Sequence, residues 1–330
     1  MSARILSAFC VEDSLQTSVR FDTSRLDGLR VETIWVAGLR DGWQEAPDRF
    51  KSGAGPIFAL QEACRRVEVL ADVVVIRGYE PLRTGISPGE RARAMDIYDG
   101  VSVPEAYTRL AQAFCKLHGI TESEFLTFCR AVEANCRATA HARGLKLPEP
   151  GQNDQMVTSL YRRADCANPV IDFEGELIVG SERAAKMLGI PGTAVGHLRT
   201  HREADGPDHV GELAQFVGLD RVLDRVTCTG LALEVYTCFP IVPLGFLYAA
   251  GLATSIEGAI AWVEENPLTI SGGMNFARAP WNCPALRALV LAHHHSLNTG
   301  QDTLVHGNGG LGGWQGVAVL TSDADTHAKV

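Results

Sequence analysis

Two short segments rich in β-branched residues flank a segment with helical spacing near the start of the chain. The flanking segments are VETIWVAGL at 31–39 and ADVVVIRG at 71–78, and between them apolar residues recur at 57, 60, 64 and 67. Apolar residues at i, i+3, i+7 and i+10 share one face of a helix. A strand, a helix and a second strand in this order build a sheet that is buried on both faces. The sequence therefore predicts an α/β fold with a helix over about 56–69.

Helix and strand signals continue along the chain. TESE at 121–124 is a capping box that opens one helix, and Ser181 and Gly189 begin and end another. A further helix is predicted over roughly 283–297, and strand, Gly-rich turn and strand over 302–322. Each half of the chain places a strand, a small-residue loop and a helix in similar order, which indicates a duplicated α/β unit.

The sequence predicts a division into a first half, residues 1–190, and a second half, residues 191–330. A polar stretch containing Gly and Pro follows the second predicted strand and leads into helices. The region of about 79–165 is therefore predicted to be an excursion of loops and helices over the surface.

Charge and hydropathy exclude two classes of partner. The 30 basic and 39 acidic residues give a net charge of −9 without a basic run, which argues against a nucleic-acid-binding surface. The longest apolar run, 239–253, is short for a bilayer span and contains Pro240 and Pro243, so it is predicted to be a buried helix. The first residues lack the pattern of a signal peptide, and a cytoplasmic protein is expected.

Cysteine and histidine placement predicts no metal site. The nine cysteines are scattered without a C-x-x-C pair, which favours reduced thiols in the core. His293, His294 and His295 are consecutive. Consecutive side chains on a helix point in different directions, so these three are predicted to lie on the surface rather than to bind one ion.

Ser52 lies among small residues immediately before the first predicted helix. Serine is an ordinary N-cap residue, whose side chain accepts a hydrogen bond from the first turn. A helix N-terminus also stabilises an anion, which would suit a nucleophile or an oxyanion site. On this stretch alone the cap is the favoured interpretation.

Three blocks in the second half follow one another in a recognisable order: EVYTCF at 234–239, SGGMNFARAP at 271–280 and HGNGGLGG at 306–313. This set resembles the thiolase superfamily, specifically the branch of sterol-carrier-protein thiolases and steroid side-chain aldolases. The resemblance covers about 31–80 and 165–322. It implies a five-layer αβαβα fold of two similar halves, usually dimeric, that acts on acyl-CoA thioesters. Compared with the family's layout, the chain before the nucleophile position is expected to be shortened.

The resemblance also implies which positions carry chemistry, and this chain departs from the pattern at most of them. The nucleophilic cysteine position falls on Ser52, and the histidine of the family's HDCF block becomes Tyr236, while Cys238 is retained. The histidine of the GHP block becomes Ala279, and the second catalytic cysteine falls near His306. Without a thiolate and its histidine, an acyl-enzyme is not expected, because serine needs a dedicated base.

The remaining groups predict a site without a covalent intermediate. Tyr236 is predicted as an acid or base, with a core tyrosine as the alternative, and His306 as a replacement proton carrier, with a hydrogen-bonded strand-end histidine as the alternative. Backbone N–H groups at Ser52 and in the NGGLGG turn are predicted to hold a thioester enolate. The predicted substrate-binding residues are Gly55, Cys238, Asn308, Gly309 and Gly310.

Three functions remain open on this basis. The first is cleavage or formation of a C–C bond in an acyl-CoA thioester, with coenzyme A thioester as substrate, no covalently bound cofactor and a partner subunit. The second is a catalytically silent subunit that pairs with an active thiolase paralogue or with a zinc-ribbon/OB-fold protein, as a homodimer or heterodimer. The third is a serine-dependent acyltransferase.

Overall fold

The computed structural model describes residues 3–13, 15–16, 18–39, 41 and 46–322. The strands are β1 (Ala3–Glu12), β2 (Leu15–Gln16), β3 (Val31–Val36), β4 (Arg49–Phe50), β5 (Val73–Pro81), β6 (Asp172–Ser181), β7 (Thr193–Arg202), β8 (Ala232–Glu234), β9 (Thr303–Gly309) and β10 (Trp314–Thr321). The α-helices are α1 (Gly55–Val69), α2 (Pro88–Ala94), α3 (Val103–His118), α4 (Glu122–Ala142), α5 (Glu182–Leu188), α6 (Val210–Leu213), α7 (Val217–Leu223), α8 (Ile241–Ala249), α9 (Ile256–Glu265), α10 (Gly273–Phe276) and α11 (Pro284–Thr299).

The strand order repeats a pairing pattern. The order is β4-β3-β5-β6-β1-β7-β10-β9-β8. In the first part β3 runs parallel to β5. Strand β5 pairs antiparallel with β6, and β6 pairs antiparallel with β1. In the second part β8, β9, β10 and β7 make the same three pairings in the same order. The two parts join where β1 pairs with β7. The repeat agrees with two similar halves, and the division between 190 and 191 stays a prediction.

Helices α1 and α11 form the middle layer between the two parts of the sheet. Helix α1 contacts β3, β6 and β10, whereas α11 contacts β1, β6 and β9. Small and aliphatic side chains of both helices are fully buried, Ala59, Leu60 and Leu289 among them. Helix α5 covers the outer face of the first part, and α7 and α8 cover that of the second. The predicted β3-α1-β5 unit and the predicted α11 are therefore present in an α/β fold of five layers.

The excursion between β5 and β6 packs more tightly than the sequence indicates. The capping box at Thr121 is formed and opens α4. Helices α3 and α4 bury residues such as Leu110 and Phe128 in the same core as α8 and α9 of the second part. The apolar faces of these two helices complete the second core, and the extent of the excursion stays a prediction. This packing brings Tyr107 of α3 to the ring of Phe239, with centroids 4.4 Å apart.

The histidine triplet was expected on the surface, and this is wrong for His293, which is 2% exposed. His293 Nδ1 lies 2.9 Å from Thr193 Oγ1, and burial lowers the pKa of its imidazole to about 3. The nine cysteines are unpaired thiols, all of them within the described residues. In that same part of the chain no helix is both long and apolar enough to cross a bilayer. Nor do the described side chains gather three potential metal ligands in one place.

Candidate active site

A cavity of about 1000 Å³ opens between the start of α1, the end of β9 and the excursion. Five predicted site residues line it. Its lining includes Lys51, Ser52, Gly53, Asp96, Tyr98, Tyr107, Arg202, Asp205, Tyr236, Cys238, Asn282, Asn308, Gly310 and Trp314. The predicted residues Gly55, Gly309 and His306 are not part of the described wall. The sequence therefore predicts five residues of this cavity wall, whereas the other three predicted residues are not part of it.

Ser52 is not a helix cap. The N-cap of α1 is Ala54, which makes no side-chain capping bond, and Ser52 has φ +85°. A positive φ is uncommon for a residue with a side chain and is retained where surrounding contacts enforce it. The hydroxyl of Ser52 is buried and has no hydrogen-bond partner among the described residues. The capping interpretation is wrong because the N-cap is Ala54, two residues beyond Ser52, and the Ser52 hydroxyl makes no bond to the first turn.

The Ser52 backbone N–H is already paired. It donates a hydrogen bond to Asn282 Oδ1, 3.2 Å away. The Gly55 N–H likewise donates to the Ser52 carbonyl oxygen at 2.9 Å. Contrary to expectation, neither N–H group is free to bind an enolate. The Ser52 N–H donates to the Asn282 side chain, and the Gly55 N–H donates to the Ser52 carbonyl oxygen.

Tyr236 packs directly against Gly53. A Cβ added at Gly53 would lie 2.7 Å from Tyr236 Cζ and closer still to the Tyr236 hydroxyl oxygen and the Asn308 carbonyl oxygen. Burial, with smaller contributions from Cys238 and Glu80, raises the pKa of the Tyr236 hydroxyl well above its ordinary value. Tyr236 is therefore a neutral phenol at physiological pH, and it can donate a hydrogen bond or a proton into the cavity.

Glu80 fixes the loop that carries Asn282. Its Oε2 accepts hydrogen bonds from the backbone N–H groups of Asn282 and Cys283, at 2.8 and 3.0 Å. Its Oε1 has no partner among the described residues, and the carboxyl group is completely buried. Burial raises the pKa of Glu80 to about 7, although the two N–H groups oppose the shift. Glu80 therefore holds one wall of the cavity in place.

The shifted pKa of Glu80 predicts a pH dependence of stability. The pKa of Glu80 rises from 4.5 in the unfolded chain to about 7 in the folded protein. The protonated carboxyl group therefore contributes fully to the free energy of unfolding below pH 4.5, and this contribution is lost as pH rises to 7. At about 1.4 kcal/mol per pKa unit, the loss is on the order of 3 kcal/mol. Glu80→Gln is expected to flatten this slope of unfolding free energy, measured by denaturant titration from pH 4.5 to 8. A variant with the wild-type slope would contradict the assignment.

A buried chain of hydrogen bonds runs behind the cavity wall. His306 Nε2 lies 2.8 Å from Gln315 Oε1, and Gln315 Nε2 donates to Asn308 Oδ1 at 2.8 Å. Asn308 Nδ2 donates to the Tyr107 hydroxyl at 2.9 Å, and that hydroxyl donates to the Gly310 carbonyl oxygen at 2.5 Å. Each amide is thereby fixed in one orientation. The sequence identified two members, His306 and Asn308, but missed the connecting Gln315 and Tyr107.

His306 lies within this chain and not at the cavity surface. It is 0% exposed, and its ring stacks on Phe246 with centroids 5.3 Å apart. Burial lowers the pKa of its imidazole to about 4, so the ring is neutral at physiological pH. The geometry favours the structural alternative for His306, a strand residue that orders Gln315, and its role as a proton carrier stays a prediction.

The Gly-rich turn after β9 is shaped by its neighbours. A Cβ at Gly309 would lie 2.5 Å from Ser52 Oγ, and one at Gly310, where φ is +60°, would collide with the Asp205 carboxylate. Asp205 Oδ1 accepts the N–H groups of Leu311 and Gly313 at 2.8 and 3.1 Å. Glycine is therefore required at both positions, and Asp205, which sequence reasoning missed, holds the turn against the cavity.

Cys238 does not replace the missing nucleophile. Burial raises the pKa of its thiol to about 12, although a hydrogen bond with Tyr107 opposes the shift. A thiol with this pKa is almost entirely protonated near pH 7, and the thiolate is the reactive form. Cys238 therefore contributes to the wall and not to covalent chemistry.

Charged side chains also reach the cavity. Lys51 and Arg202 contribute cations, whereas Asp96 and Asp205 contribute carboxyl groups. The Arg202 guanidinium lies 3.9 Å above the centroid of the Trp314 ring, which is also part of the lining. The cavity thus combines cationic groups with aromatic surface, a combination suited to a ligand that has both anionic and apolar parts.

No family model and no curated sequence matches the chain, whereas solved structures do. It is similar to a monomeric SCP2-thiolase-like protein type 1 from Mycobacterium smegmatis, with TM-score 0.71, 16% identity and coverage of 97% of this chain and 77% of that one. It is similar to the Ltp2-ChsH2(DUF35) aldolase, with TM-score 0.66, 17% identity and 98% coverage of both chains. Human mitochondrial 3-ketoacyl-CoA thiolase gives TM-score 0.69, 12% identity and coverage of 97% and 99%. The chain therefore has the thiolase fold, as the resemblance implied.

Proposed function

We propose that this protein acts on acyl-CoA thioesters and cleaves or forms a C–C bond without a covalent enzyme intermediate. The observation that carries the proposal is the position of Tyr236, a neutral phenol that lines the cavity beside Ser52. Similarity to an aldolase and to thiolases supports a ligand of the acyl-CoA class.

A retro-aldol reaction needs only groups of the kind found here. A carboxylate of the cavity lining, Asp96 or Asp205, takes the proton of the β-hydroxyl group. The Cα–Cβ bond then breaks to leave a carbonyl compound, and its electron pair passes into the thioester as an enolate. Protonation at Cα then gives a shorter acyl-CoA and a free carbonyl compound. Because Tyr236 enters as the phenol, it is suited to donate a hydrogen bond to the enolate and its proton to carbon.

Acyl transfer through Ser52 has less support. No described side chain makes a hydrogen bond to the Ser52 hydroxyl, so no base is positioned to take its proton. The third function open from sequence, a serine-dependent acyltransferase, therefore ranks below the other two.

Ser52 is expected to remain unmodified during turnover. Incubation with an acyl-CoA panel followed by intact-mass spectrometry should show the mass of the unmodified chain, because Ser52 lacks a base. A stoichiometric adduct that disappears in Ser52→Ala would restore the acyltransferase and remove the present proposal.

A silent subunit is the second candidate. The observation in its favour is that Asn282 Oδ1 occupies the Ser52 N–H, a donor that a covalent mechanism would need for its oxyanion. In this case the chain would pair with an active thiolase paralogue or a zinc-ribbon/OB-fold protein.

The test of function starts from co-purification in the native host. The complex obtained is then assayed with panels of β-hydroxyacyl-CoA and β-ketoacyl-CoA compounds. Cleavage of a β-hydroxyacyl-CoA supports the proposal. A complex that contains an intact thiolase and turns over only β-ketoacyl-CoA would overturn it in favour of the silent subunit.

A further inference from the structure

Asn282 presents one unpaired donor to the cavity. Its side chain lines the wall although the residue is only 2% exposed. Oδ1 accepts the Ser52 N–H, and Nδ2 has no partner among the described residues. A flipped amide would set two N–H donors against each other, so the free group is the donor. Buried polar groups are almost always paired, and a buried exception next to a cavity indicates a ligand acceptor.

The donor is held in place before any ligand arrives. Glu80 binds the backbone N–H groups of Asn282 and of the next residue, so the loop cannot swing away. Ser52 anchors the other end of the amide. A donor fixed in a site shielded from water costs no reorganisation when charge develops on an oxygen, which is the condition for effective oxyanion binding.

Two further hydrogen-bond donors belong to residues that line the same cavity wall. The Ser52 hydroxyl is buried, has no partner in the described part of the chain and belongs to a residue with φ +85°. The Tyr236 hydroxyl lies on the other side of Gly53. A strained residue together with unpaired hydroxyl and amide groups in one patch is typical of a functional site. The Ser52 hydroxyl, the Asn282 amide and the Tyr236 hydroxyl are neutral hydrogen-bond donors. A ligand oxygen that accepts hydrogen bonds would therefore fit them.

We propose that Asn282 Nδ2, assisted by the Ser52 hydroxyl, binds the carbonyl oxygen of the acyl-CoA thioester. The inference rests on the proposed function and assigns to this chain's own side chains the oxyanion role that the backbone N–H of Ser52 cannot fill. Tyr236 is then left to transfer the proton.

The test compares two ligands that differ only in the carbonyl group, dodecanoyl-CoA and its thioether S-dodecyl-CoA. Dissociation constants measured by calorimetry on the isolated protein give the preference for the thioester without any need for turnover. Asn282→Asp keeps the shape and the acceptor for Ser52 but removes the donor. It is expected to reduce the thioester preference about threefold to tenfold, the usual worth of one hydrogen bond.

Three further variants make the result specific. Asn282→Ala should lose the same preference, which excludes the charge of aspartate as the cause and serves if the aspartate variant does not fold. Ser52→Ala should lose less. Asn266→Asp is the matched control, because Asn266 Nδ2 donates to the Trp262 carbonyl oxygen and the residue does not line the cavity. Its preference should equal that of the wild type.

The outcomes separate this inference from the proposed function. Wild-type protein that binds neither ligand would overturn both. Wild-type protein that binds both ligands, with the same ratio of dissociation constants in the two Asn282 variants, would overturn the carbonyl assignment alone. An equal loss in Asn266→Asp would also overturn it, since the effect would then not be local.

Discussion

Tyr236→Phe is expected to lower kcat for cleavage of a β-hydroxyacyl-CoA about 10²-fold or more, the usual worth of a positioned acid or base. The substitution removes only the hydroxyl group and keeps the ring that fills the space beside Gly53. Stability should therefore change by about 1 kcal/mol at most. Rate and thermal midpoint are measured together on the complex purified with its partner.

Tyr79→Phe is the matched control for this experiment. Tyr79 is 59% exposed on β5, so loss of its hydroxyl should alter neither rate nor midpoint. If Tyr236→Phe keeps the wild-type kcat but loses stability, the phenol is a structural core group. The proton-transfer assignment would then be wrong, and the search would pass to the other phenols in the wall, Tyr98 and Tyr107.

The parts of the fold that local patterns encode were predicted from the sequence. The β3-α1-β5 unit has continuous β-branched strands around one amphipathic helix, and the structure contains all three elements. The capping residues of α4 and α5, Thr121 and Ser181, perform the predicted role. These features depend on contacts within a few residues, so a single sequence suffices to find them.

The strands β1 and β7 were not predicted. The sequence of β7, TAVGHLRTHR, carries charged residues and is mostly half-buried, because β7 lies where the two parts of the sheet meet and one face reaches solvent. The apolar alternation that predicts a strand is therefore weak there. The pairing of β1 with β6 and β7 depends on partners more than 150 residues away along the chain, which no local pattern records.

The site shows the same division. Tyr236 and Asn308 belong to sequence blocks that resemble the family's motifs, and Ser52 falls on the family's nucleophile position. The resemblance could therefore locate all three. Asn282 and Asp205 come from loops without a motif, and their importance depends on the groups that they contact: the Ser52 N–H and the Gly-rich turn. No feature of the sequence around either residue would have selected it.

Gly53→Ala is expected to have the second large effect, on both stability and activity. Gly53 is not among the glycines with positive φ, so alanine fits the backbone conformation and only space is at issue. The added Cβ would lie 2.7 Å from Tyr236 Cζ and would also meet the Asn308 carbonyl oxygen. Because Asn308 is fixed in β9, between β8 and β10, both the Gly53 backbone and the tyrosine ring must move.

Overpacking of this kind costs about 1–3 kcal/mol, and displacing a catalytic group by about 1 Å can lower the rate 10²-fold. Thermal unfolding and turnover measure the two effects. Gly211→Ala is the control, because a Cβ at Gly211 in α6 meets nothing within 4 Å and should leave the protein unchanged or slightly more stable. Wild-type turnover in Gly53→Ala would show that the position of Tyr236 does not control the rate, since this substitution moves the phenol without removing it. If Gly53→Ala lowers the turnover rate as much as Tyr236→Phe does, the rate depends on the location of the hydroxyl group as well as on its presence.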